Sequence, residues 1–195
     1  MPAVSYTTPW GRIGDWSEDE LVQYLKTGHN AVASAAGPMA EEVEESSSLL
    51  TEPDLKAIAT YLKERPAPDK KPGAAVAAAD PAMKAGEAIY TDQCSACHAK
   101  DGRGVPGLFP SLRGVPSVSA SDPISLVRVV ENGVRTASTP GAPTAPGMPS
   151  YAWQLDDDQI AAVLTYVRNA WGNSFGPVSK ADVAAARQTI TQNAD

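Results

Sequence analysis

A chain of 195 residues has room for one large domain or two small ones. Seventeen prolines and fifteen glycines beside only 6% aromatics imply short elements and substantial loops, and such a domain needs a staple, for which a buried cofactor would serve. A formal charge of −7 argues against nucleic acid as a partner, and no apolar run approaches the roughly 20 residues that cross a bilayer.

Met1, Pro2, Ala3, Val4 and Ser5 lack the basic start and apolar run of a leader, so the expectation is a leader already removed or a chain cut from something longer. The first predicted helix opens on a capping box, Ser17 with Glu20, and ends at Gly28. His29 follows, read as a solvated imidazole near a helix C-terminus. Gly37-Pro38-Met39 precedes a second helical stretch, Asp54 to Lys63. Arg65 to Gly73, rich in proline and charge, reads as a linker that continues through the alanines 74–79.

Asp80 and Pro81 then read as the N-cap and first residue of a helix running to about Asp92. Met83, Gly86, Ile89 and Tyr90 share one face, with Gly86 small where another helix comes close. At the end of this helix stands Cys94-Ser95-Ala96-Cys97-His98, which holds both cysteines and one of the two histidines of the chain. This is the pattern of c-type haem attachment. Each thiol adds to one porphyrin vinyl group, two intervening residues match the sulfurs to those vinyls, and the adjacent imidazole addresses the iron. A Cys94–Cys97 disulfide would close too small a loop to constrain the unfolded chain. A thioredoxin-like dithiol wants a strand feeding the motif, and a zinc site wants ligands beyond the distant His29.

Gly102 to Gly114 forms a loop punctuated by glycine and proline that can wrap a flat ring. A helix from Ser121 to about Gly133 follows, with Leu126, Val127 and Val130 on its apolar side. Met148 lies fifty residues after His98 in the loop Pro146-Gly147-Met148-Pro149, able to offer a thioether to a metal, though a partly exposed loop residue is the plain alternative. Met83 reads as core. A last helix is capped by Asp156, and the tail has a capped stretch at Ser179 with Val183, Ala186 and Ile190 on one face, suited to docking or to fraying.

The wording Gly147-Met148-Pro149-Ser150-Tyr151-Ala152-Trp153-Gln154-Leu155, then Tyr166-Val167-Arg168-Asn169-Ala170-Trp171-Gly172-Asn173, makes residues 80–173 resemble a class I c-type cytochrome domain. It is similar to the last haem module in the multihaem cytochrome subunits of membrane-bound bacterial alcohol, gluconate and sugar dehydrogenases. The resemblance implies an all-α fold around one covalent haem c, attached at Cys94 and Cys97, with His98 and Met148 as axial ligands. It further implies a non-catalytic electron carrier in the periplasm that works with a dehydrogenase subunit and a quinone or downstream redox protein. Association of such a complex with the membrane would be peripheral.

The first third of the chain echoes the second half. Asp54 to Lys63 aligns without a gap to Gln159 to Arg168, and Gly37-Pro38-Met39 stands where Pro146-Gly147-Met148 stands. Residues 1–65 therefore read as a partial, haem-lacking cytochrome c-like module without the attachment motif, 66–79 as linker, 80–173 as the haem domain and 174–195 as tail. Either the chain begins inside a longer multihaem protein, or this module has lost its haem and persists as a shell. Met39 would then be a ligand by ancestry alone. Two other functions stay open: an open-site haem that reduces peroxide or binds gas, and a scaffold role in which the first module docks to a larger subunit.

Overall fold

The computed structural model describes residues 16–64 and 74–192, with side chains of the last helix described to residue 188. Residues 1–15, where the sequence reads as lacking a leader, the linker up to residue 73 and the Ile190 side chain lie outside the described residues. The fold is helical, as the sequence implies, with one two-residue antiparallel ladder.

Helix α1 (Glu18–Thr27) starts on the anticipated capping box, in which Ser17 and Glu20 satisfy each other's backbone amides, and Gly28 closes it at φ 80°. Helix α2 (Pro38–Glu45) departs from expectation. Proline at its first position presets the helical φ, so Met39 stands in a helix rather than in a loop, packed beside Ala35, Ala40, Val43 and Ala137. A 3₁₀ turn (Ser47–Leu49) leads to α3 (Glu52–Glu64), which packs on α1 through Trp16, Leu21 and Ala59.

Helix α4 (Pro81–Ile89) is capped by the Asp80 carboxylate on the Ala82 amide. It does not stop near Asp92. It widens into a π turn (Tyr90–Cys94) and tightens again as α5 (Ser95–His98). After a short α6 (Pro116–Ser119) comes α7 (Ile124–Asn132), three residues later than the sequence suggests, because Pro123 sits at the N-cap position and Asp122 accepts the Ile124 amide. Strands β1 (Val134–Arg135) and β2 (Gly147–Met148) pair antiparallel. Helix α8 (Asp157–Asn169) opens on a second capping box, Asp156 with Gln159.

The core gathers around α8, which buries Ile160, Val163, Leu164 and Val167, each contributing about 1.5–3 kcal/mol. Helix α4 lies against it at Gly86, where a Cβ would fall 2.2 Å from the Ala162 carbonyl. No residue but glycine fits that contact, as the helix-face reading anticipates. Helix α9 (Lys180–Gln192) docks instead of fraying, with Val183 and Ala186 buried in the same core. Arg168 is 4% exposed and ties the parts together. Its guanidinium donates to the carbonyls of Val118, Ala120 and Gly176.

Candidate haem-attachment site

The π turn delivers Cys94 as its last residue, and α5 presents Cys97 and His98 on the following turn. Two side chains pin the segment. Ser95 Oγ donates to the Thr91 carbonyl at 2.7 Å, and Tyr90 Oη donates to the Ala99 carbonyl at 2.6 Å. Cys94 and Cys97 are thiols not joined by a disulfide, Cys94 partly buried and Cys97 exposed. Burial, and next the charge of Cys97, push the Cys94 thiol up to about 11.

His98 Nδ1 donates to the Pro110 carbonyl at 3.0 Å. That bond fixes the tautomer and leaves the lone pair on Nε2. Burial lowers the imidazole's proton affinity, and the Pro110 bond only partly opposes it, so the ring is held in the neutral form that binds a metal. The acceptor is itself built in. Gly104, at φ 66°, lies so close that a Cβ would meet the Phe109 and Pro110 carbonyls at 2.2 and 2.6 Å. Val105 and Phe109 exchange amide bonds at 2.9 and 2.8 Å, and Leu112 N donates to the Gly102 carbonyl at 2.8 Å. From α8's end, Asn173 donates to the Leu112 carbonyl and accepts the Gly114 amide. The aromatic set Tyr90, Tyr166 and Trp171 packs behind, with Trp171 donating to the Lys100 carbonyl.

Met148 stands in β2 opposite Val134 rather than in an unpaired loop. Gly133 makes room for it: a Cβ there would lie 2.4 Å from the Met148 carbonyl. Met148 is partly buried and packs against the same core as Cys94, Leu112, Ile124 and Tyr151. Tyr151 closes the gap between the two halves of the site. Its hydroxyl donates to the Gln93 carbonyl at 2.9 Å, and its amide donates to the Val130 carbonyl. Burial first, then the charges of Cys94 and Cys97, raise the Tyr151 phenol. Ser150 Oγ donates to the Glu131 carbonyl and secures the same stretch.

This donor set suits a c-type haem: two free thiols separated by two residues, an imidazole with Nε2 available, and a thioether on the same core. His29, read from sequence as solvated, is buried. Its Nε2 donates to the Ala137 carbonyl at 3.0 Å and its Nδ1 pairs with the Ser34 hydroxyl at 3.1 Å, so both ring nitrogens are engaged. The sequence reading did not single out Pro110 or Tyr151 as supports. The Leu-Phe-Pro-Ser-Leu run between two glycines was the available signal for Pro110.

Residues 83–171 match the family model "Cytochrome c". The chain is 37% identical over 193 residues to the gluconate 2-dehydrogenase cytochrome c subunit of Pantoea cypripedii, an alignment covering 93% of this chain and 44% of that one. It is 38% identical over 186 residues to the cytochrome c subunit of the quinone alcohol dehydrogenase of Gluconobacter oxydans, covering 91% and 39%. Cytochrome c-552 of Thermus thermophilus is 34% identical over 123 residues, covering 59% of this chain and 79% of that protein. The helices, the attachment motif and these matches define a c-type cytochrome, and the chain belongs to the cytochrome c family. It spans less than half the length of the dehydrogenase subunits it matches.

Proposed function

We propose that this chain binds one haem c through thioether bonds to Cys94 and Cys97, with His98 and Met148 as axial ligands. Its task is to relay electrons from a periplasmic dehydrogenase subunit to a quinone or a downstream redox protein. When bound, the haem supplies a one-electron iron couple, and a thioether ligand sets its potential above that of a bis-histidine site. The residues around it do the rest. Pro110 orients His98, the β1–β2 ladder carries Met148, and Tyr151 braces the thiol-bearing turn. The observation that carries the reading is the 3.0 Å bond from His98 Nδ1 to a carbonyl locked in place by Gly104, which prepares Nε2 for iron. The dehydrogenase partner is taken from what the relatives' names say of them, and the periplasmic setting is inferred from covalent haem attachment. Among the described residues no helix is long and apolar enough to cross a membrane, and association of the complex with a membrane is proposed as peripheral.

Residues 1–65 are proposed to be a partial module of the same family without an attachment motif. Two features support this. Lys63 donates to the Trp16 carbonyl at 2.6 Å, just as Arg168 at the matching position of α8 reaches back to Ala120 ahead of its own middle helix. The face of α3 that corresponds to the α4-contacting face of α8 holds Ala57 and Tyr61, and both are exposed.

Intact mass and a visible spectrum of the full chain, purified from a host that attaches haem, test the proposal. The expected mass is polypeptide plus one haem, surviving denaturation. The reduced spectrum should be low-spin, and Met148→Ala should convert it to high-spin. Colourless denatured protein with the bare polypeptide mass overturns the reading.

A further inference from the structure

Both ligand-bearing loops are fastened to the same short stretch of the first third of the chain. After α1 the backbone doubles back on itself. Ala35 N donates to the Gly28 carbonyl at 2.7 Å, His29 bridges to Ser34, and the Asn30 carboxamide accepts the Val32 and Ala33 amides. One side of this hairpin meets the segment between β1 and β2. Ala137 N donates to the Ala35 carbonyl at 3.0 Å, Ala36 bridges antiparallel to Thr136, and His29 Nε2 donates to the Ala137 carbonyl at 3.0 Å. Thr136 N in turn donates to the Pro146 carbonyl, and two residues further on each strand Val134 opposes Met148. The hairpin is thus bridged to the segment that follows directly on the ladder holding the methionine.

The other side of the hairpin meets the loop that carries Pro110. Ser111 N donates to the Val32 carbonyl at 3.0 Å, next to the Pro110 carbonyl that receives His98 Nδ1. The contacts are close and shielded. His29, Ala35 and Ala137 are buried, and Gly28 approaches so tightly that a Cβ would lie 2.5 Å from Ala137 Cβ.

We propose that residues 28–36 are a strap that positions both axial side chains, with His29 as its positioning residue, so that the state of the first third of the chain is transmitted to the iron's ligand field. This rests on the axial pair proposed above. His29 touches neither iron nor ligand and acts through Ala137 and the paired strands. Free imidazole is the probe, because it competes with the Met148 thioether for the metal.

In the full-chain holoprotein, His29→Ala should bind imidazole about fivefold more tightly, the size of one lost buried hydrogen bond. Its midpoint potential should fall as the thioether bond weakens. His29→Gln, which can still donate to the Ala137 carbonyl, should return the affinity most of the way. Val183→Ala loosens α9, which packs on α7 and α8 rather than on the strap's hydrogen bonds, and should lower stability without moving either value. Should His29→Ala not fold, Gly28→Ala displaces the same contact and should raise imidazole affinity in the same direction. Wild type without a thioether-to-iron absorption removes the axial pair and the strap together. Wild type with that absorption, and strap variants that bind imidazole as it does, remove the strap alone.

Discussion

Ala99 follows His98 at φ 61° and ψ 158°, a backbone region that glycine enters freely and other residues enter at a cost of about 1–3 kcal/mol. The turn it makes aims its carbonyl at Tyr90 Oη and at the Gly102 amide, and so directs the chain from the attachment motif into the loop that carries Pro110. Ala99→Gly should relieve the strain and raise stability by about 1 kcal/mol, read as a thermal midpoint roughly 2–4 °C higher. A lower midpoint would mean the methyl group has a packing role. Arg168 sets the opposite case. It is buried, its proton affinity is lowered by that burial, and its partners are backbone carbonyls 8, 48 and 50 residues away. Arg168→Met strands those acceptors and should cost about 3 kcal/mol in denaturant unfolding. From sequence this arginine is only the closing basic residue of a repeat, because carbonyls give no signal until the fold brings them together. His29 fails to show itself for the same reason: its acceptor is the Ala137 carbonyl, 108 positions later.

Elements meet where side chains are smallest or most strictly paired. The α4–α8 contact rests on Gly86, and Gly86→Ala drives a methyl into the Ala162 carbonyl. Overpacking of this kind should cost about 3 kcal/mol, seen as a lower denaturant midpoint at unchanged slope. Where α7, α8 and α9 converge, Arg187 pairs with Glu131 at 2.9 Å and with Asp157 at 2.8 Å, and the Glu131 side chain is 5% exposed. Burial raises the Glu131 carboxyl above its usual range more strongly than Arg187 lowers it. Its ionised form is therefore disfavoured in the fold relative to the unfolded chain. Stability associated with this group is intact below the ordinary carboxylate value of 4.5 and is lost as pH rises toward the raised folded value. Glu131→Gln should match wild type in acid and overtake it as pH rises through that window; a parallel pair of stability–pH curves would contradict this. Capping chemistry was legible at this scale, since Ser17, Asp156 and Ser179 act on amides within three residues. Met39 was not, because the repeat placed it by analogy with Met148 while Pro38 had local authority to start a helix.

Over the whole molecule, the attachment motif and the apolar stripe of α8 could be read from residue order, because each is a local pattern with a fixed period. The docking of the tail could not. Its stripe is short, and only the complementary surface of α7 and α8 decides between docking and fraying. Val183→Asp tests how firmly that surface holds α9: a buried unpaired carboxylate should release the helix, exposing it to protease near Ser179 while a haem bound as proposed at Cys94 and Cys97 stays attached.

The wide turn between Tyr90 and Cys94 has a geometric consequence for all of this. An ordinary α-helix advances about 100° per residue, so removing one residue there to restore regular winding would swing everything beyond it around the axis by that angle. Gly86 would still nestle on α8, yet Cys94, Cys97 and His98 would look out over a different quarter of the protein. The extra residue works like an offset keyway on a shaft. It lets a single rod be clocked for packing at one end and for the proposed haem site at the other.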